Sequence, residues 1–516
     1  MSSVLALDLG TSGLKAAVFD PAGAVIDSEV VPYSVQLSPG GGAEQHPDTW
    51  WQAVVTAATR MFARKAKASG VRGVAVSSQW AGTVAIDEAG KALRPALIWM
   101  DSRGSDDVRA LAGGFPSIDG YNAFKIEQWI RKTGGAPSLS GKDPVGHIAW
   151  LRRNEPKTFD ATKLFLEPKD WLNFKLTGRA VSSFDAIAMH WATDNRKVDA
   201  VQYDDGLLKL ANLERSKLPE LIAPAAVVGT LSAEAATELG LPRDVKVITG
   251  GPDMHTAAIG AGTTRDFEVH LCLGTSSWLL AHVPFKKTDL THNMGSLPAA
   301  IPGRYLFCNE QEMAAGALKW VVEKLFEADG ADVYPKAFAA AEATPAGAKG
   351  LMFLPWLHGE RSPVDDRNVR GGFVGLSLHH DRGHLVRAVL EGVAYNTRWL
   401  LEHLQRNMGR PVEQVTVVGG GARSDFWCQV MADALQCRVR QVVDPQLANA
   451  RGAAFQAWVG LGEADWNRVA EAVAIRRTFE PNTAHAEVHR ERYAQFHLEF
   501  NHRRKMSRRF PRLLQE

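Results

Sequence analysis

The chain of 516 residues carries 59 Lys and Arg against 57 Asp and Glu, with 45% hydrophobic and 22% charged residues. That composition excludes extended disorder and supplies enough apolar material for at least two domains. The near balance of charge excludes a global field directed at nucleic acid or an anionic membrane.

In chain order, Val4-Leu5-Ala6-Leu7 reads as a strand that enters the turn Leu9-Gly10-Thr11-Ser12. Residues 16–20 and 25–27 then flank Pro21-Ala22-Gly23, the pattern of a hairpin. A helix is expected from Trp50 to about Ala68, followed by strands at 71–76 and 83–86. Helical segments dominate from Asp143 to Leu221, and the buried strand at 245–249 leads into Gly250-Gly251. The run Phe267 to Leu273 alternates as a strand does and ends in Leu273-Gly274-Thr275-Ser276, a second copy of the tetrapeptide at Leu9. That return, about half a chain later, suggests one structural unit used twice. A strand at 415–418, the turn Gly419-Gly420-Gly421 and a helix from Phe426 to Leu435 complete a strand, glycine and helix unit. The segment from His502 to Arg509 is locally basic and reads as a solvated final helix.

Several classes of chemistry are excluded. No GxxxxGK[ST] occurs, because Gly90-Lys91 and Gly141-Lys142 lack the following hydroxyl residue, and HExxH is missing. Cys272, Cys308, Cys428 and Cys437 never form a CxxC pair, which argues against a zinc site or a disulfide framework. No stretch approaches the roughly 18 apolar residues of a membrane span, and MSSVLALDLG lacks a basic leader region, so a cytoplasmic protein is expected.

Three glycine turns remain as candidate phosphate sites. Gly10, Gly274 and Gly419 to Gly421 each follow a strand, where bare backbone amides can cradle phosphate oxygens or simply reverse the chain. Asp8 interrupts an apolar strand just before the first turn, where it can hold a magnesium ion against phosphate or accept neighbouring amides. Lys15 reads as a surface lysine with a second reading as a phosphate neutraliser. Asp253 sits at a helix start, where the dipole is expected to keep it ionised, either as a proton acceptor for an attacking alcohol or as an N-cap. Gln79-Trp80 and Trp99-Met100-Asp101-Ser102-Arg103 follow apolar runs and suit either sugar recognition or core packing with an Asp to Arg pair.

Five ordered motifs, DLGTSGLK, GGPDMHTAAIGAG before LCLGTSS, FLPWLHGERSP, VVGGGARSDFWCQVMADAL and ANARGAAFQA, give the chain a resemblance to the FGGY carbohydrate kinases of the actin-like ATPase superfamily. The family's C-terminal signature is met in full from Gly371 to Glu391. Its N-terminal signature is met imperfectly around Pro144 to Asn154, with His147 at the usual lysine position and Lys142 where a small or aromatic residue is usual.

The resemblance implies an α/β fold of two ribonuclease-H-like domains closing a cleft over ATP, magnesium and a sugar or polyol. It divides the chain into 1–246, carrying the sugar site and first phosphate loop, 247–485, carrying the base and the other loops, and a basic helical tail, 486–516. It assigns Asp253 as catalytic base and Asp8 to magnesium and substrate hydroxyls. Gly10, Thr11 and Ser12 become the first phosphate loop, Gly274 and Thr275 the second, and Gly420, Gly421 and Ser424 the adenosine loop. Gln79, Trp80, Trp99 and Asp101 become substrate-facing. WLHGERSP is most similar to xylulokinase-like members, which implies a ketopentose or near relative. Those members usually carry Met-His after the Gln, whereas Trp80-Ala81 stands here, so a departure from D-xylulose itself is expected. Small-molecule substrates are the expected partners, with neither nucleic acid nor membrane, and the resemblance is compatible with a homodimer.

Overall fold

The computed structural model describes residues 2–326 and 332–510. The first sheet is built from β1 (Ser3–Leu9), β2 (Gly13–Phe19), β3 (Val25–Pro32), β4 (Val71–Ser78), β5 (Val227–Thr230) and β6 (Lys246–Pro252), in the order β5-β6-β4-β1-β2-β3. β1 is antiparallel to β2, β2 to β3 and β5 to β6, while β1, β4 and β6 run parallel. Nearly continuous apolar runs such as Val4 to Leu7 are buried on both faces, as strands covered by helices must be. The expected hairpin forms, with Gly23 at φ +77° in its turn.

The second sheet repeats this connectivity. Its strands are β7 (Val269–Leu273), β8 (Ser277–Val283), β9 (Thr288–Asp289), β10 (Met294–Pro298), β11 (Tyr305–Cys308), β12 (Gln414–Val418), β13 (Arg438–Val442) and β14 (Ile475–Phe479), ordered β9-β10-β11-β8-β7-β12-β13-β14. Here β7 and β8, and β8 and β11, are antiparallel, while β7, β12 and β13 are parallel. The order β11-β8-β7-β12-β13 therefore reproduces β3-β2-β1-β4-β6. The repeated Leu-Gly-Thr-Ser marks the same turn, after the first strand of each unit.

Six helices pack against these sheets and one another: α1 (Pro47–Arg64), α2 (Asp253–Gly260), α3 (Arg382–Met408), α4 (Asp425–Leu435), α5 (Ala448–Gly460) and α6 (Ala486–Arg509). α1 begins at Pro47 and stops at Arg64, four residues short of the expected end, with a 3-10 turn at Ala68–Gly70. Residues 83–86 shorten to a strand Val84–Ile86, which pairs with Leu164–Leu166 outside the main sheet.

β6 completes the first sheet, so a division at 246/247 falls at the beginning of that strand. α6 is more than a solvated tail. Its His489, Tyr493, Phe496 and Phe500 lie on one face and are buried, with Phe496 and Phe500 against Trp356 of the second core. The last residues of the expected tail, 511–516, lie outside the described residues. The four cysteines are free and buried, and among the described residues no helix is long and apolar enough to cross a membrane.

The crossing of α2 with α5 joins the two halves. α5 comes from the second half of the chain, yet its Trp458 indole donates to the Asp20 carbonyl beyond β2. At the crossing, a Cβ on Gly260 would stand 1.8 Å from the Ala448 carbonyl oxygen, and one on Gly452 would stand 1.9 Å from the Thr256 carbonyl oxygen. Only hydrogen at these two positions lets the backbones meet. Helix propensity alone favours Gly452→Ala by about 1 kcal/mol, but forcing a methyl into this contact costs about 1–3 kcal/mol. Gly452→Ala is therefore expected to lower the urea midpoint of unfolding, and an unchanged or raised midpoint would contradict the close crossing.

Candidate active site

In each sheet the parallel strands end together, and the chemistry-bearing residues follow those ends. Gly10 follows β1, Gln79 follows β4 and Asp253 follows β6. Gly274 follows β7 and Gly419 follows β12.

Register explains the surroundings of Asp8. On β1 it pairs with Lys15 of β2 on one side and Ser77 of β4 on the other. Its carboxylate accordingly lies 2.8 Å from Lys15 Nζ and accepts from Ser77 Oγ at 3.2 Å, while remaining only 2% exposed. Asp8 is the main reason the Lys15 pKa is raised. Lys15 is thus the counter-ion of Asp8 rather than an unattached surface lysine. Ser77 Oγ also lies 2.7 Å from Thr256 Oγ1, so a hydroxyl pair connects Asp8 to the first turn of α2.

Asp253 is the first residue of that helix. Gly250, at φ +62°, sits in an irregularity where β6 loses register with β4, and a Cβ there would stand 1.9 Å from the Val76 carbonyl oxygen. The bulge re-aims the chain so that Asp253 leaves the sheet edge at the helix start. Its Oδ1 accepts the Met254 amide at 2.8 Å. The helix dipole alone would keep this carboxyl ionised, but burial, then Asp8 and then Glu310 push its pKa up to about 8. Desolvation and like charge outweigh one backbone hydrogen bond. The same field reaches Cys272 at the end of β7, whose thiol is pushed up to about 12 by burial and then by Asp253. Asp253 is thus electrostatically coupled to groups at the ends of both β1 and β7.

The first turn is exposed at its tip. Gly10 N–H closes it on the Gly13 carbonyl at 3.1 Å, Ser12 is exposed, and Gly10 and Thr11 are half-buried. Thr11 also organises the neighbouring side chains. Its hydroxyl lies 3.3 Å from Gln79 Oε1 and accepts from Trp99 Nε1 at 3.0 Å, and its carbonyl accepts from Gln45 Nε2 at 2.7 Å. Gln79 Nε2 donates in turn to Gln45 Oε1 at 2.8 Å. Gln79 and Trp99 are thus brought to the first turn. Trp80 lies deeper: its indole donates to the Ala186 carbonyl at 2.8 Å, and its ring meets His255 edge-on with centroids 5.1 Å apart. Asp101 is fully buried, accepting from Ala43 N and pairing with Arg103. In this geometry it braces the loop that presents Trp99. His147 is buried beneath, near Thr83 and the Asp101 carbonyl, and burial lowers its pKa to about 4. A neutral imidazole tolerates this dry position where an ammonium would need a counter-ion.

The second turn is braced by the segment after it. Thr275 O accepts from Ala314 N at 2.8 Å and Gly316 N at 3.1 Å, and Gly274 O from Ala315 N at 2.8 Å. At the third turn Gly419 adopts φ +91°, Gly420 is exposed and Gly421 is buried. Ser424 caps α4 by accepting from Trp427 N at 3.2 Å.

Two residues of the site are not singled out by any local sequence pattern. Glu310, beyond β11, has its pKa raised by burial, a rise that Ser276 of the second turn and Arg361 oppose. Arg361 pairs with Glu310 and grips Glu312 through Nε at 2.8 Å and Nη2 at 3.0 Å. The Arg361 guanidinium also stands 5.5 Å from the centre of the Trp99 ring, so it links the second half to the loop of the first. It lies within WLHGERSP, a motif that marks resemblance without indicating its contacts.

Residues 3–260 match the model of the FGGY family of carbohydrate kinases, N-terminal domain, and residues 269–461 match that of its C-terminal domain. A xylulose kinase of Escherichia coli (strain K12) is 30% identical over 452 residues, covering 87% of this chain and 88% of that one. The crystal structure of xylulose kinase from Rhodospirillum rubrum superposes with a TM-score of 0.82 at 27% identity, covering 98% of this chain and 100% of that one. A gluconokinase of Bacillus subtilis (strain 168) is 25% identical over 445 residues, covering 85% of this chain and 84% of that one.

The raised pKa of Asp253 has a signed consequence. Its folded value of about 8 exceeds the ordinary 3.8, so between these values the folded protein holds a proton that the unfolded chain has released. Its contribution to stability is present at low pH and lost as pH rises through that window. Asp253→Asn is expected to flatten the fall in Tm between pH 5 and 8 measured by differential scanning fluorimetry. Parallel Tm curves for the two proteins would contradict the crowded carboxyl.

Proposed function

The chain belongs to the FGGY family of carbohydrate kinases and is an ATP-dependent sugar phosphotransferase; from that premise we propose that it phosphorylates a terminal hydroxyl of a ketopentose, with Asp253 as general base. The observation that supports the base assignment is the position of Asp253 at the start of α2, directly after β6, with burial, Asp8 and Glu310 lifting its pKa to about 8. In the proposed reaction Asp253 in its ionised form, whose share grows as pH rises toward its pKa of about 8, takes the proton of the sugar hydroxyl. Its oxygen forms a bond to the γ-phosphorus while the bond from that phosphorus to the β-bridging oxygen breaks, releasing ADP. Positioning supplies most of the acceleration in such transfers, and a general base adds about 10²- to 10⁴-fold.

The proposed roles follow the turns. Gly10, Thr11 and Ser12 and, opposite them, Gly274 and Thr275 offer backbone and hydroxyl donors to phosphate oxygens. Gly420, Gly421 and Ser424 accommodate the adenosine, where the open space around Gly420 admits a flat ring. Asp8, Gln79, Trp99 and the buried edge of Trp80 line the sugar side, with Asp101 supporting Trp99. Asp8 and Asp253 fit magnesium, a hard cation that takes one or two carboxylates and completes its shell with phosphate and water. The crowding of Asp8, Asp253 and Glu310, which raises the Asp253 pKa, is the feature a cation relieves. When bound, magnesium neutralises charge on the transferring phosphate.

The xylulose kinase relatives support a ketopentose, and the gluconokinase relative keeps an aldonate as the second reading. Trp80, with its donor engaged by Ala186, presents an apolar ring edge rather than another hydrogen-bonding group, which favours an acceptor with fewer charges at that end. ADP release across pentuloses, pentitols, glycerol and hexonates is expected to give the highest kcat/KM with a pentulose. A higher value with a hexonate would overturn the substrate class while leaving the phosphotransfer intact. Asp253→Asn is expected to retain nucleotide affinity and lose about 10²- to 10⁴-fold in turnover, and near-native turnover would remove Asp253 as base.

A further inference from the structure

α6 begins at a corner where three metal-ligating side chains meet. Asp433, near the end of α4, is 1% exposed, and its Oδ2 lies 2.8 Å from His485 Nδ1. His489, one helical turn beyond His485, is fully buried. Each of the three offers a ligand atom, and these atoms lie within 4.8 Å of one another. His489 Nδ1 is 2.9 Å from the Tyr395 hydroxyl, whereas its Nε2 is buried with no hydrogen-bond partner. A buried, unpartnered imidazole nitrogen is costly and calls for an occupant.

We propose that Asp433, His485 and His489 form a binding site for a zinc-class divalent transition ion, which ties α6 to α4. Two imidazoles and one carboxylate are the nitrogen and oxygen donors such ions take, whereas magnesium and calcium favour oxygen alone. The four-residue spacing of His485 and His489 puts both rings on one side of the helix start. Supporting contacts are in place. If the Tyr395 oxygen accepts from His489 Nδ1–H, the lone pair remains on Nε2, the arrangement in which histidine ligates metal. Asp433 Oδ1 accepts from Gln429 Nε2 at 2.7 Å and from Asn482 N at 2.8 Å, which fixes the carboxylate and leaves Oδ2 toward the histidines.

Ligand atoms around a tetrahedral zinc ion stand roughly 3.3 Å apart. The site closes by rotation of His485, whose side chain is 36% exposed, and water completes the shell on that side. None of the three residues belongs to the proposed phosphotransfer machinery. The ion would brace α4, which Ser424 caps directly after the third glycine turn.

The test uses the full chain, stripped with chelator and titrated with Zn²⁺, with Co²⁺ as a spectroscopic stand-in. One ion per chain is expected to bind, to raise Tm by about 1–3 °C and, as cobalt, to give the visible absorption of a tetrahedral site. His485→Ala, at an exposed position, and the near-isosteric Tyr395→Phe are each expected to weaken binding at least about tenfold. His485→Ala is expected to leave magnesium-dependent ADP release unchanged. Absence of stoichiometric binding, or equal affinity and the same cobalt spectrum in His485→Ala and Asp433→Asn, would overturn the site.

Discussion

Crowding of carboxyl groups where the two repeated units meet is the constraint around which this structure is arranged. Asp8 and Glu310 both act on Asp253, and together with burial they lift its pKa to about 8. Proteins avoid such crowding unless counter-charges hold it, and here they do. Lys15 faces Asp8 across β1 and β2, and Arg361 holds Glu310 and Glu312. Asp253 alone among the three carboxyls has no direct cationic partner at salt-bridge distance among the described residues. It is consequently the group whose protonation is most open to change when charged substrates enter.

The scaffold keeps that arrangement rigid on one side and connected on the other. The Gly260 and Gly452 contacts lock α2 against α5, and the Ser77 to Thr256 pair ties the start of α2 to the strand beside Asp8. Across the units, contact between Arg361 and Trp99 is lighter, a cation over a ring at 5.5 Å. Such a contact can open and remake more readily than a backbone crossing, which suits an enzyme that must admit substrates and then exclude water.

Much of the fold was legible because strong local signals agreed with the tertiary structure. The two Leu-Gly-Thr-Ser turns, the hairpin around Gly23 and the glycine turn after β12 all lie where pattern put them, since each depends on a conformation that glycine or turn chemistry supplies locally. The spacing of His489, Tyr493, Phe496 and Phe500 was equally present in the sequence, but eight basic-rich residues near the end of α6 mask its apolar face. Side-chain engagement was less legible. Asp101 has the pattern of a sugar ligand until its bonds to Ala43 and Arg103 are visible, and Asp253 that of an ionised group until Asp8 and Glu310, 245 and 57 residues away in sequence, stand beside it. Glu310 and Arg361 carry no local signal because their meaning arises only when β11 and the loop after residue 354 come together.

The most direct measurement is a crystal structure of the chain with a non-hydrolysable ATP analogue, magnesium and an accepted sugar. An Asp253 carboxylate oxygen is expected about 2.6–3.2 Å from the terminal sugar hydroxyl, with that hydroxyl in line with the γ-phosphorus. A sugar bound with its reacting hydroxyl on another side chain, and Asp253 turned away from it, would contradict the account.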